Sequence, residues 1–337
     1  MFVAGRRTNL ALLVLLASCL ATGGLAFGLG SGWGAWAVMA HGVLAIGIVL
    51  LSPWKSAIAR RGLRRRRPQN SASVALAAVT ALTLASGIAH STGVLISVGP
   101  VTAMQVHVTA ALVATGLGLL HVLTRRVRWR RTDVGRRNLL RAAGLAGGSL
   151  AAYGALAGVV SITRMPGADR RFTGSFERGS LRPDAMPVTQ WLNDRVQHTD
   201  VAGWRLAVAG RGRTATFPLA MLEEMREPVG AVLDCTGGWY AMQRWEGVRL
   251  DRLLGNAGEG RSIVVRSSTG YSRRYPFRDA SRLWIATRAG GRPISPGHGA
   301  PARIVAPNRR GYWWVKWVRS VEVSDVPWWW QPPFPLT

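Results

Sequence analysis

No aspartate or glutamate occurs before Asp133, although arginines are plentiful there. Up to Ile162 the chain holds 17 basic residues and a single acid, whereas residues 163–337 hold 26 basic and 15 acidic ones. A water-facing surface normally intersperses both signs. Arginine blocks separated by long acid-free apolar runs instead have the pattern of membrane helices with their topology signals. The two parts are different kinds of polypeptide, in keeping with the two domains that 337 residues suggest.

Five apolar stretches are each near the roughly 20 residues that a spanning helix needs: Leu10–Leu29, Trp33–Leu51, Ser73–Val98, Val101–Leu123 and Leu139–Ile162. The connections after the first and the third carry no charge, while those after the second and the fourth are packed with arginine, from Arg60 to Arg67 and from Arg125 to Arg141. With Arg6 and Arg7 ahead of the first stretch, the positive-inside rule makes the N-terminus and both basic loops cytoplasmic, and five crossings leave the rest of the chain outside. The expected location is a bacterial plasma membrane, multi-pass, with lipid as a partner. This placement of the arginines also argues against nucleic-acid binding, despite a net charge of +27.

The fifth stretch opens on Gly135-Arg136-Arg137-Asn138-Leu139-Leu140 and continues as a weakly apolar Ala/Gly run. It resembles an internal twin-arginine export signal, which implies the machinery that moves folded domains as a further partner. Residues 1–134 are thus expected to form a four-helix membrane domain, 135–163 a fifth helix with its signal, and 164–337 an extracytoplasmic domain.

Histidine inside a bilayer is costly and by default functional, and the membrane part has His41, His90, His107 and His121. His107 and His121 are 14 residues apart, nearly on one helix face and about 21 Å apart along it. The two helix pairs look duplicated: Thr22-Gly23 followed by His41 parallels Ser86-Gly87 followed by His107. One b-type haem between His41 and His107 is the expected arrangement, with His90 at a depth where it could replace either ligand and Lys55 in the place that would face His121. Residues 10 to 123 resemble small four-helix membrane cytochromes b, which implies exchange of electrons with a quinone pool or another electron-transfer partner.

From Phe172 onward short β-type runs alternate with Gly and Pro turns: Trp204–Ala209, Ser262–Arg266, Ala302–Ala306 and Ser320–Val323. Short helices fit Pro187–Asp194, Leu219–Met225 and Leu250–Ala257, so this is expected to be an α+β domain. Cys235 ends an apolar strand ahead of Thr236-Gly237-Gly238, where a soft thiolate can bind a metal or a small side chain can simply fill the core. Trp239, Tyr240, Tyr271, Arg273 and Arg274 are candidates for a pocket wall. Arg309 and Arg310 are read as solvated surface.

The motifs Cys235-Thr-Gly-Gly-Trp239, Trp245-Glu-Gly-Val-Arg-Leu250, His298-Gly-Ala-Pro-Ala-Arg303 and Val315-Lys-Trp-Val318, with Thr173-Gly-Ser175 and Met186–Trp191 ahead of them, resemble the molybdopterin-binding domain of the sulfite oxidase family over about residues 170 to 326. The resemblance implies that Cys235 ligates molybdenum, that His298 and Arg303 contact the cofactor, and that Trp314, Val315 and Lys316 belong to the loop holding the pterin phosphate. Tyr240 and Tyr271 are then the catalytic candidates beside Cys235. The arginine-bearing loop that follows the cysteine in sulfite oxidases proper does not occur after Cys235, nor does an Arg-Asn-His segment ahead of it, and the family's dimerisation domain is not expected, which inclines the reading toward sulfoxide-type reduction of a small molecule or protein over sulfite-type oxidation. A rival of another class is a metal-free anchored scaffold that keeps the fold and recognises an extracytoplasmic partner.

Overall fold

The computed structural model describes residues 5–63, 70–124, 133, 135–192, 194–210, 212–255 and 260–335. Arg64 to Arg67 and Arg125 to Arg131 lie outside the described residues. The chain divides into two compact units, residues 1–27 with 32–174 and residues 28–31 with 175–337.

The first unit is built on α1 (Arg6–Gly28), α2 (Trp33–Leu63), α3 (Asn70–Thr92), a short antiparallel hairpin of β1 (Ser97–Val98) and β2 (Val101–Thr102), α4 (Ala103–Thr124) and α5 (Arg136–Ile162). All five helices are long and apolar enough to cross a membrane. Many of their apolar side chains are exposed, among them Val14, Leu112, Leu119 and Leu140. The third apolar stretch stops being helical at Thr92 instead of running to Val98. Gly93 takes a left-handed φ of 76°, and the β-branched Val94, Ile96 and Val98 before Gly99-Pro100 favour a hairpin over another turn of helix. The guanidinium of Arg6 clasps the Asp133 carboxylate at 2.5 and 2.9 Å, and Lys55 Nζ donates to Asn9 Oδ1 at 3.0 Å. The starts of α1 and α5 and the later part of α2 therefore share one end of the bundle.

The second unit holds β3 (Phe176–Glu177), β4 (Arg205–Gly210), β5 (Arg213–Pro218), α6 (Leu219–Met225), β6 (Glu227–Cys235), β7 (Trp239–Arg249), α7 (Leu250–Leu254), β8 (Ser262–Ser267), β9 (Ser272–Pro276), β10 (Trp284–Ala289), β11 (Arg292–Pro293), β12 (Arg303–Val305) and β13 (Val318–Ser324). One sheet runs β11-β10-β7-β3, with β6 also paired to β7 and β12 to β10; the other runs β5-β4-β13-β8-β9. The apolar sides of both sheets supply a single core in which Leu206, Trp245, Val248, Ile263, Ile285 and Val321 lose all contact with water. The four strands expected from the sequence and the helix Leu219–Met225 form. Residues 187–192 do not: Leu192 has φ 44°, and the segment stays open because its polar groups serve another segment. The helix begun at Leu250 ends at Leu254, where Gly255 at φ 46° caps it; the remainder of the expected span, 256–257, lies outside the described residues.

Candidate functional site

The β6–β7 hairpin places the chemistry. Cys235 is the last residue of β6 and faces Trp239 across a three-residue connection in which Gly238 takes φ 90°, a conformation costly for any residue with a Cβ. Cross-strand partners share a face, so Cys235 and Trp239 point one way while Asp234 and Tyr240 point the other. Cys235 and Trp239 line a cleft of about 660 Å³, its open mouth included, together with Thr189, Trp191, Tyr271, Tyr312 and the basic pair Arg303 and Lys316. Tyr240, Arg273 and Arg274 do not line it. Tyr240 is on the wrong side of the pleat. Arg273 stacks on Trp313 with its guanidinium 4.1 Å from the ring centre, and Arg274 donates to Ser262 and Ser324.

The Cys235 thiol is buried, and burial pushes its pKa up, opposed by the Gly237 N–H, which donates to Sγ at 3.3 Å, and by Arg310. Arg303 is wholly buried between Trp245 and Trp314. Its Nη1 donates to the His298 carbonyl at 2.9 Å and its Nη2 to the Trp314 carbonyl at 3.3 Å, while Nε finds no acceptor among the described residues. Burial lowers its pKa to about 9. Lys316 Nζ donates to Gly297 O at 2.6 Å, Thr189 O at 2.9 Å and Gln190 Oε1 at 3.3 Å. Burial and the neighbouring Arg303 bring Lys316 down to about 7. These contacts are what hold residues 189–190 extended.

His298 lines the cleft, but both its ring nitrogens are engaged within the protein. Nε2 donates to the Met186 carbonyl at 3.1 Å, and Nδ1 accepts from Ser295 Oγ at 2.8 Å. Burial lowers its pKa to about 4, so the ring is neutral. The Tyr271 hydroxyl likewise donates to the Tyr312 carbonyl; it contributes wall rather than an available proton. Trp314 reaches the cleft, whereas Val315 packs into the core, its carbonyl accepting from Ile304 N at 2.9 Å.

Arg310 is not surface. Its Nη1 lies 2.5 Å from Asp234 Oδ1, Nη2 donates to the Cys235 carbonyl at 3.3 Å, and Ser175 Oγ donates to the same carboxylate oxygen at 2.7 Å. Gly311 beside it presses on the same strand end: a Cβ there would stand 3.1 Å from Cys235 Cα. Arg309 pairs with Asp279 at 2.5 Å. The signal in the sequence was the acid at position 234, an aspartate inside an apolar strand, which in a folded core demands a cation.

Residues 193–329 match the family described as oxidoreductase molybdopterin binding domain. The match supports a molybdopterin-binding oxidoreductase domain in this part of the chain. The chain is also similar to an uncharacterized oxidoreductase, YuiH, of Bacillus subtilis (strain 168), 29% identical over 100 residues that make up 27% of this chain and 50% of the relative. It thus spans about half the length of that relative. Among solved structures it resembles the sulfane dehydrogenase SoxCD of Paracoccus pantotrophus at 25% identity and a TM-score of 0.37, over 39% of this chain and 40% of that one. The residues of the domain suit a molybdopterin: a thiol lines the cleft, the buried basic side chains Arg303 and Lys316 line it too, and Arg303 Nε is a buried donor with no acceptor among the described residues.

In the first unit, His41 and His107 come together with ring centres 5.9 Å apart and planes at 88°. His41 Nδ1 donates to the Cys19 carbonyl at 3.0 Å and His107 Nδ1 to the Thr83 carbonyl at 2.8 Å. In each helix pair the accepting carbonyl precedes, by one turn, the glycine on which the ring rests: a Cβ at Gly23 would stand 3.0 Å from the His41 ring, and one at Gly87 2.9 Å from the His107 ring. His90 is elsewhere, its Nε2 donating to the Gly174 carbonyl at 2.8 Å. His121 lies in the last turn of α4.

Proposed function

We propose that the chain is a membrane-anchored molybdoenzyme that transfers an oxygen atom on the extracytoplasmic side and exchanges electrons with the quinone pool through one b-type haem. Cys235 carries the reading, a thiol open to a cleft that also presents Arg303 and Lys316. Bound there, the molybdenum cofactor supplies two-electron oxygen-atom transfer. Cys235 would ligate the metal through sulfur, giving up its proton on binding. Arg303 and Lys316 would hold the anionic pterin end, and Gly237 N–H and Arg310 steady the strand end that carries Cys235. Trp191, Trp239, Tyr271 and Tyr312 exclude water from the substrate side.

The cleft's two basic side chains are those assigned to the cofactor, and Cys235 is followed by Thr236, Gly237 and Gly238. With no further guanidinium among the lining residues to bind an oxyanion, sulfoxide reduction is favoured over sulfite oxidation. Two electrons and two protons convert sulfoxide to sulfide and water.

The haem reading rests on the tautomer. Donation from Nδ1 to a backbone carbonyl leaves the Nε2 lone pair of each ring for a metal, so His41 and His107 would be the residues that hold the haem, which would supply one-electron transfer there. The arginine blocks of the sequence between the apolar helices support the orientation, and Arg136-Arg137 at the start of α5 fits export of a domain already loaded with cofactor.

Metal analysis and spectra of the purified full chain test the reading. Molybdenum should be present in the wild type, and Cys235→Ser should be folded and exported with little or no turnover; wild-type turnover in that variant would remove Cys235 from the mechanism. Reduced b-type bands should vanish in His41→Ala and His107→Ala and survive in His121→Ala and His90→Ala. A sulfoxide should reoxidise quinol-reduced haem. Reduction of the haem by sulfite would reverse the direction.

A further inference from the structure

Beyond β13 the chain turns through Pro327-Trp328-Trp329-Trp330 and exposes three consecutive indoles, to 36, 59 and 69%. This turn is fastened on both sides. Trp330 N donates to Pro327 O at 3.0 Å, closing the turn. On the near side Ser262 Oγ donates to Val326 O at 2.6 Å. On the far side the Gln331 amide bridges the edge strand β9, accepting from Arg274 N at 2.9 Å and donating to Arg274 O at 2.8 Å and to Trp328 O at 2.7 Å. Arg273 Nη1 adds a bond to Pro332 O at 3.2 Å. The rings of Trp329 and Trp330 stand edge to face, 6.0 Å apart. The fold therefore holds the indoles outward.

The surroundings are basic. Arg261, whose N donates to Ser324 O, and Arg278, one residue after Phe277, whose N donates to Arg261 O, are exposed on the adjoining backbone, with Asp325 the acid next to the turn. Indoles combined with arginines suit the headgroup layer of a bilayer, where the ring is half solvated and anionic phosphates meet the guanidinium groups. Covalent reach makes the encounter unavoidable. Twelve residues, 163–174, lie between the end of α5 and Ser175, where the main part of the second unit begins; even fully extended that length spans at most roughly 40 Å, so on the spanning reading a weak anchor acts at high effective concentration.

We propose that the Trp328–Trp330 turn is a membrane-interface anchor that seats the catalytic domain on a phospholipid surface bearing anionic headgroups. This rests on the reading that α1 to α5 span a bilayer, and flotation of the full chain with carbonate-washed vesicles tests that reading separately.

The full chain, in a Cys19→Ala background that keeps Cys235, is reconstituted into phosphatidylethanolamine–phosphatidylglycerol vesicles with a nitrobenzoxadiazole label at Trp330→Cys or Trp329→Cys, and the background chain without an added cysteine, treated alike, gives the Cys235 signal to subtract. The control label is at Thr214→Cys, on β5 at the opposite edge of the same sheet. Lipids carrying a spin label near the headgroup should quench the label at 329 or 330 at least about twofold more than at 214, and replacing phosphatidylglycerol by phosphatidylcholine should weaken the difference. If the chain floats with the vesicles but the 329, 330 and 214 labels are quenched equally, the anchor is wrong while the spanning reading stands. Dimming that follows the protein-to-lipid ratio instead of the spin-labelled lipid would identify a second copy as the occupant, and would also overturn it.

Discussion

Arg310→Met is the perturbation that most directly tests how the Cys235 strand end is held. The guanidinium and its partner carboxylate are 2 and 4% exposed, so neither regains water when the other is removed. Breaking such a buried pair typically costs about 3–5 kcal/mol, because one charge is left uncompensated. Here Ser175 Oγ still donates to Asp234, which places the expected cost toward the lower end. At about 2–4 °C per kcal/mol for a domain of this size, the midpoint should fall by roughly 6–15 °C. Thermal unfolding of the full chain in detergent, followed by tryptophan fluorescence, reads the right unit, since all the tryptophans except Trp33, Trp36, Trp54 and Trp129 lie in the second one. The partner variant Asp234→Leu should be destabilised comparably, because it strands the guanidinium. The double variant should recover most of the loss, as apolar replacements of a buried pair often do, retaining about 1 kcal/mol for the acceptor that Ser175 loses. Midpoints within 2 °C of wild type in both single variants, or a double variant no better than Arg310→Met, would refute the assignment of the pair as the clamp on this strand.

His298 is held neutral with its pKa lowered to about 4, below the roughly 6.5 of an unfolded histidine; the unfolded chain therefore binds the extra proton first, and stability should be complete above about pH 6.5 and decline as pH falls toward 4, a slope that His298→Gln should flatten in denaturant titrations. On the proposed haem and membrane arrangement, Gly87→Val should abolish the b-type spectrum with insertion intact, since a Cβ 2.9 Å from the His107 ring displaces that ring; an unchanged spectrum would mean that the ring does not need this close approach. Gly311→Ala should destabilise the domain by about 1–3 kcal/mol, the usual cost of forcing extra bulk into a packed site, and lower molybdenum content, because the added methyl stands against Cys235 Cα.

Much of this architecture was legible in the sequence because it follows from one-dimensional patterns. Apolar run length and the clustering of arginine do not depend on what packs against what, so the five helices of the first unit could be read directly, apart from the end of the third, where the left-handed Gly93 overrode hydropathy. The repeat of Gly and His in the two helix pairs was likewise readable, and His41 and His107 do meet. Cys235, Arg303, Trp314 and Lys316 converge on one cleft as their motifs implied. What could not be read was which way side chains face and what neutral groups occupy them. Tyr240 looked equivalent to Trp239 until the β6–β7 register put them on opposite sides of the pleat. Arg309 and Arg310 looked like surface because charge alone says nothing of a partner 76 residues away; only the packed sheet brings Asp234 to Arg310. Residues 187–192 have no helix because Lys316, far along the chain, takes the Thr189 carbonyl. Local pattern determined the elements, while the direction of each side chain and the partner of each buried charge were decided by tertiary structure, since burial makes a charge seek whichever counter-group the fold delivers.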